Sequence, residues 1–68
     1  MAITLKAARV NVGLTQSEAA KKLGIATDTL RMYESGKTFP DVPTIKKIEG
    51  LYHVSYNDIH FLLPTENS

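Results

Sequence analysis

Apolar residues recur along the chain with the i, i+3, i+4 spacing of helices, and no segment shows a convincing strand alternation. The first predicted helix runs from about Ile3 to Val12, and Gly13 ends it because glycine readily adopts a positive φ. The second begins at Thr15, which forms a T-x-x-E capping box with Glu18, and it ends at Gly24. This pattern predicts an all-α chain.

Three further helices are predicted after residue 24. The first runs from about Thr27 to Ser35, and Asp41 caps the second. The third begins at Ser55, has Asp58 at its capping-box position, and ends before Pro64. The residues expected to face inward in the last two helices are Ile45, Ile48, Leu51, Tyr52, Ile59, Leu62 and Leu63.

The second and third predicted helices are joined by only about three residues, so they must cross closely and steeply. Ala20 provides the small side chain that such a crossing needs, and Gly24 provides the turn. This pair predicts a helix-turn-helix.

The composition restricts the remaining classes of protein. A chain of 68 residues predicts one domain, assigned to residues 1–64, with a loose tail at 65–68. With no cysteine and only two histidines, neither a metal site nor a cofactor is expected. No apolar run reaches membrane-spanning length and no signal peptide is visible, which predicts a cytoplasmic protein without a membrane partner. The net charge of +1 is low for a nucleic-acid-binding protein, which usually carries a clustered basic surface.

Ser55, Asp58 and His60 together could suggest a hydrolase. They lie in one short predicted helix, without a glycine-rich oxyanion turn, in a chain too small to bury a pocket. We therefore expect no enzyme activity and no small-molecule ligand.

A series of landmarks falls in order over residues 3–63, nearly the whole chain. They are Leu5-Lys6-x-x-Arg9, Gly13-Leu14-Thr15-Gln16, Ala20-x-x-Leu23-Gly24-Ile25, Thr29-Leu30-x-x-Tyr33-Glu34-x-Gly36-Lys37, Pro40 and Val54-Ser55-x-x-x-Ile59. With these motifs the chain resembles the Cro/CI-type, or XRE-type, helix-turn-helix domain of phage and bacterial transcriptional repressors. The resemblance implies a compact five-helix bundle of the lambda-repressor-like DNA-binding type. It also implies a homodimer on double-stranded operator DNA, with the third helix in the major groove.

The resemblance assigns roles to individual residues. Gln16 would bind a phosphate and brace the recognition helix, while Arg9 and Glu34 would form an internal pair. Ala26 stands where the family usually has Ser or Thr, so Thr27 is expected to cap the third helix instead. The positions implied to read bases are Thr27, Asp28 and Met32, with Arg31 beside them, and those in the phosphate-binding stretch are Ser35 and Lys37.

A dimer reading a palindrome is expected to use the C-terminal end of the domain, through His53, Tyr56, His60 and Phe61. These residues carry more apolar bulk than a solvated surface needs, although Phe61 could instead complete the core. A second functional class stays open: the same fold used mainly to bind protein, in an antitoxin-like or anti-repressor role with weak DNA binding. The weak net charge and the expected exposure of Phe39, Tyr56 and Phe61 keep that alternative open.

Overall fold

Four α-helices form most of the protein in the computed structural model, which describes residues 2–61. They are α1 (Leu5–Asn11), α2 (Gln16–Leu23), α3 (Thr27–Ser35) and α4 (Val42–Tyr52). A 3₁₀ turn follows at Tyr56–Asp58, and the two-residue strands β1 (Ile3–Thr4) and β2 (Ile59–His60) pair in parallel. None of the helices within residues 2–61 is long and apolar enough to cross a membrane.

Several helix ends carry the residue types that predict them. The Thr15 hydroxyl accepts from the Glu18 amide at 3.1 Å, and the Glu18 carboxylate accepts from the Thr15 amide at 2.9 Å, so the capping box is confirmed. Gly24 ends α2 in the left-handed conformation, at φ 75°. Asp41 caps α4 by accepting from the Thr44 amide at 3.0 Å. These side chains satisfy amides that the start of a helix leaves unpaired.

The predicted fifth α-helix is wrong, because within the described residues, which end at 61, the chain makes only a 3₁₀ turn after Ser55. Ser55 does cap this turn, accepting from the Asn57 amide at 3.3 Å, but Asp58 is the last residue of the turn and β2 follows directly. Ile59 is then buried in extended backbone, while His60 is exposed. Parallel pairing with β1 satisfies backbone groups that a further helical turn would otherwise have to satisfy.

The pairing of β1 with β2 also shortens the first helix, which begins at Leu5 rather than at the predicted Ile3. Thr4 is the cap, since its hydroxyl accepts from the Ala7 amide at 3.1 Å. Its extended backbone makes Ile3–Thr4 available to pair with β2. The predicted inward residues Leu62 and Leu63, the predicted stop at Pro64 and the tail at 65–68 lie outside the described residues.

Small side chains let α2 pack closely within the core. Ala19 and Ala20 are 0% and 1% exposed, and α2 contacts both α3 and α4. A larger side chain at either position would push these helices apart. Within residues 2–61, the core also contains the buried side chains of Leu5, Ala8, Leu23, Leu30, Ile48, Tyr52 and Ile59. This packing fixes α3 with Leu30 in the core and its opposite face exposed.

Candidate nucleic-acid interface

The turn between α2 and α3 spans residues 24–26. The Gly24 amide donates to the Lys21 carbonyl at 3.2 Å, and the Ile25 amide donates to the Ala20 carbonyl at 3.0 Å. A Cβ at Gly24 would meet no atom within 4 Å, so the positive φ is what requires glycine there. Two short helices crossing at such a turn have the geometry of a helix-turn-helix.

The expectation that Thr27 caps α3 is wrong. Ala26 occupies the cap position, with an extended backbone at φ −71° and ψ 150°, and makes no side-chain cap hydrogen bond. Thr27 is the first residue of the helix itself. Asp28 lies in the first turn, where a negative charge interacts favourably with the helix dipole.

A buried ion pair joins α1 to α3. Arg9 Nε donates to Glu34 Oε2 at 2.7 Å, and the two side chains are only 8% and 5% exposed. Arg9 Nη1 also donates to the Leu14 carbonyl at 2.8 Å, which ties in the loop before α2. Gln16 joins this network because its Nε2 donates to Glu34 Oε1 at 3.0 Å. One carboxylate therefore holds α1, α3 and the start of α2 together.

Exposed side chains on one face of α3 meet in a shallow depression. Asp28 and Arg31 form an ion pair there, in which Arg31 Nη2 donates to Asp28 Oδ1. Their side chains remain 75% and 64% exposed despite this contact. Met32 beside them is also exposed. The residues that line the depression are Asp28, Arg31, Met32, Ser35 and Lys37.

Ser35 and Lys37 lie on either side of Gly36, which ends α3 at φ 83°. The Ser35 hydroxyl donates to the Met32 carbonyl at 3.1 Å, and the Lys37 amide donates to the same carbonyl at 3.0 Å. The Lys37 side chain is exposed. Of the other sequence-predicted residues, Thr27 and Gln16 are half-buried at the starts of α3 and α2, outside the depression.

A second surface, here called the aromatic surface, is formed by the exposed Phe39 and Tyr56 together with the half-buried Phe61. The Phe61 ring lies 4.7 Å from the Phe39 ring and 5.7 Å from the Tyr56 ring, measured between centres. Phe39 and Tyr56 also border a groove of about 660 Å³ that Val42 and Ile45 line. Phe61 packs against the core as well, so it contributes to both the core and this surface.

The residues around the aromatic surface were only partly anticipated. His53 is exposed and ends α4 with a left-handed backbone at φ 56°, and His60 is exposed on β2. Glu49 was missed: its Oε2 accepts from the Tyr56 amide at 2.7 Å and so fixes the 3₁₀ turn on α4. No local motif indicates that contact, because a change of chain direction separates the two residues. Phe39 was expected to be exposed but was not assigned to the dimer surface.

Three groups within residues 2–61 have shifted pKa values. Hydrogen bonds from the Thr15 backbone and side chain lower the pKa of the Glu18 carboxyl, and hydrogen bonds with Thr44 lower that of Asp41. Burial, with a smaller effect of the Glu34 charge, raises the pKa of Tyr52 to about 12. None of these three groups belongs to α3, so they bear on stability rather than on the exposed face of that helix.

Residues 5–59 match the helix-turn-helix family. This span contains all four helices of the described chain and the 3₁₀ turn. The chain therefore belongs to the XRE-type helix-turn-helix family of DNA-binding transcriptional regulators.

Two relatives are similar to this chain over 51 residues each. The HTH-type transcriptional regulator ImmR of Bacillus subtilis (strain 168) is 47% identical, over 75% of this chain and 40% of that protein. An uncharacterized HTH-type transcriptional regulator of Archaeoglobus fulgidus is 33% identical, over 75% of this chain and 73% of that protein. The matched region thus spans less than half of ImmR and most of the second relative.

Proposed function

We propose that this protein is a transcriptional repressor that binds a palindromic operator as a homodimer, with α3 in the major groove. The observation that carries the proposal is the exposed depression on α3, which gathers Asp28, Arg31 and Met32 beside Lys37. In helix-turn-helix proteins, side chains from the first turns of the recognition helix reach base edges. Membership of a DNA-binding family supports the same assignment.

Base reading is assigned to four residues of α3. Asp28 can accept from the N4 amino group of cytosine, and Arg31 can donate to guanine. Met32, which is 37% exposed, offers apolar contact to a thymine methyl group. Thr27 provides a hydroxyl at the first helical position.

Positioning on the DNA backbone is assigned to Gln16, Ser35 and Lys37. Gln16 Nε2 uses one N–H on Glu34 and has a second that can donate to a phosphate. It does so at the start of α2, where the helix dipole favours an anion. The exposed ammonium of Lys37 offers a phosphate contact just beyond the end of α3. These contacts would fix the register of the protein without reading sequence.

Selection of bound duplexes from a random pool tests the proposal. The selected duplex is expected to bind at least about 10³ times more tightly than a scrambled duplex of the same composition. The logarithm of the binding constant is expected to fall linearly with the logarithm of the salt concentration, because phosphate contacts release counterions. Equal affinity for both duplexes, or no measurable binding, would contradict the proposal.

Dimerisation is assigned to the aromatic surface, with His53 and His60 beside it. Phe39 and Tyr56 are 51% and 44% exposed, and adjoining Val42 is 64% exposed, which is the kind of apolar patch that marks an interaction site. One recognition helix reads too few base pairs to select a site in a genome. Two copies related by a twofold axis would read a palindrome with half-sites one helical turn apart.

Sedimentation across a concentration series, with and without a palindromic duplex, tests the dimer. We expect two protomers per duplex at saturation, and one per duplex would rule the dimer out. Val42→Ser is expected to weaken assembly because the exposed Val42 adjoins the aromatic surface. Val10→Ser is the matched control, since Val10 is similarly exposed, at 57%, but belongs to α1.

A second candidate function is a protein-interaction module of the same fold, in an antitoxin-like or anti-repressor role. The groove lined by Phe39, Val42, Ile45 and Tyr56 favours it, because its lining is largely apolar. The net charge of +1 points the same way. Salt dependence separates the two functions: a phosphate-contacting regulator loses affinity steeply with salt, and an interaction module has little DNA affinity to lose.

A further inference from the structure

The ion pair between Asp28 and Arg31 has little value for stability. Both side chains are largely exposed, at 75% and 64%, and exposed pairs of this kind contribute little to folding. An acidic side chain on a face that approaches phosphates also weakens binding through repulsion, unless it makes a specific contact. The helix dipole favours a negative charge in the first turn of α3, and a specific contact with a base would further offset the repulsion between Asp28 and phosphates.

We propose that Asp28 and Arg31 act as one unit that reads a single G·C base pair. This inference rests on the proposed DNA-binding function and names the base pair that α3 selects. Arg31 Nη2 donates to Asp28 Oδ1, which holds the guanidinium group on the exposed side of the helix. The remaining N–H donors of a guanidinium form a fork that matches O6 and N7 of guanine.

The carboxylate completes the reading of the same pair. Asp28 Oδ1 is bonded to Arg31, so Oδ2 can accept from another donor. In the major groove the N4 amino group of cytosine lies next to O6 of its guanine partner, within reach of a carboxylate bonded to the same guanidinium. An A·T pair presents the adenine N6 donor against the Arg31 fork and the thymine O4 acceptor against Asp28. Both contacts would then be repulsive, so the unit discriminates on both strands.

Selection from a random duplex pool tests the unit, using the wild type, Asp28→Ala, Arg31→Ala and the double variant. The wild type is expected to select an invariant G·C pair in each half-site. Arg31→Ala is expected to reduce the preference for G·C over A·T at that pair about tenfold or more. Asp28→Ala is expected to weaken the preference at the same pair, because the guanidinium is no longer held. The double variant is expected to discriminate no worse than Arg31→Ala, since coupled residues are not additive.

Lys47→Ala is the matched control, because it removes an exposed cation from α4, and it is expected to leave the selected sequence unchanged. Thermal unfolding of Arg31→Ala is expected to match the wild type because its side chain is largely exposed, and Asp28→Ala is expected to lose only the small helix-dipole contribution at the start of α3. The inference would be overturned if the two single variants lost sequence preference at two different base pairs, or if both kept the G·C preference unchanged. Either result would leave the proposed function intact. Failure of the wild type to select any sequence would overturn both.

Discussion

Arg9 and Glu34 are 25 positions apart in the chain, yet Arg9 Nε lies 2.7 Å from Glu34 Oε2 in a pair that is almost completely buried. The same carboxylate also accepts from Gln16. The buried Glu34 carboxylate therefore contributes to the stability of the fold and also holds Gln16, the side chain proposed to contact the DNA backbone. Removing one partner of such a pair leaves the other without compensation in a poorly solvated place.

Glu34→Leu is expected to lower the free energy of unfolding by about 3 kcal/mol or more, because Arg9 is left as a buried cation without its partner. The double variant Arg9→Met with Glu34→Leu is expected to lose much less than the sum of the two single changes. Urea unfolding of the four proteins gives the coupling directly. Purely additive losses would mean that the ion pair has no coupling energy.

Helix ends could be predicted from the sequence because their signals are local. Thr15 and Glu18 are three residues apart, and the positive φ at Gly24 is a property of one residue. The segment after Ser55 could not be predicted in this way. Ile59 fits the inner face of a helix as well as it fits a strand, and its pairing with Ile3 from the other end of the chain decides between them. Long-range backbone pairing of two residues leaves no local pattern.

The contacts at the candidate site also differ in whether a local sequence signal predicts them. The spacing of Asp28 and Arg31 is that of neighbours on a helix surface, so their contact follows once α3 is placed. The contact between Gln16 and Glu34 needs the crossing of α2 and α3, and the family resemblance was what placed those residues near each other. Glu49 and Tyr56 had neither kind of signal, because their contact depends on the turn after α4.

Ala26→Ser is expected to stabilise the protein by about 0.5–1 kcal/mol, because a hydroxyl at this exposed cap position can accept from an amide that α3 leaves uncapped. The extended backbone at Ala26 already suits a capping residue. Thermal unfolding measures the gain. Thr15→Ala serves as the converse control and is expected to cost about 1 kcal/mol by removing an existing cap. An Ala26→Ser variant no more stable than the wild type would show that the start of α3 gains nothing from a side-chain cap.

Tyr52 is expected to ionise only at high pH, since burial raises its pKa from the usual 10.0 to about 12. The folded state holds this proton more tightly than the unfolded state, so the contribution to stability is present below about pH 10 and is lost as the pH rises through about 12. Ultraviolet titration is expected to show an ionisation near pH 12 in the wild type, and this ionisation is expected to disappear in Tyr52→Phe but to remain in Tyr56→Phe. Because the Tyr52 hydroxyl has no hydrogen-bond partner among residues 2–61, Tyr52→Phe is also expected to cost little or no stability at neutral pH.

Lys37→Ala and Gln16→Ala are expected to weaken binding to every duplex alike, because phosphate contacts position the protein without reading bases. They differ in one measurable respect. Lys37 carries a charge, so its loss is expected to reduce the slope of log affinity against log salt by about one unit, whereas the neutral Gln16 is expected to leave the slope unchanged. Titration of the selected duplex and a scrambled duplex at several salt concentrations measures both effects, and each variant is the control for the other. If either change altered the preferred sequence while affinity for scrambled DNA stayed intact, that residue would belong to the base-reading set instead.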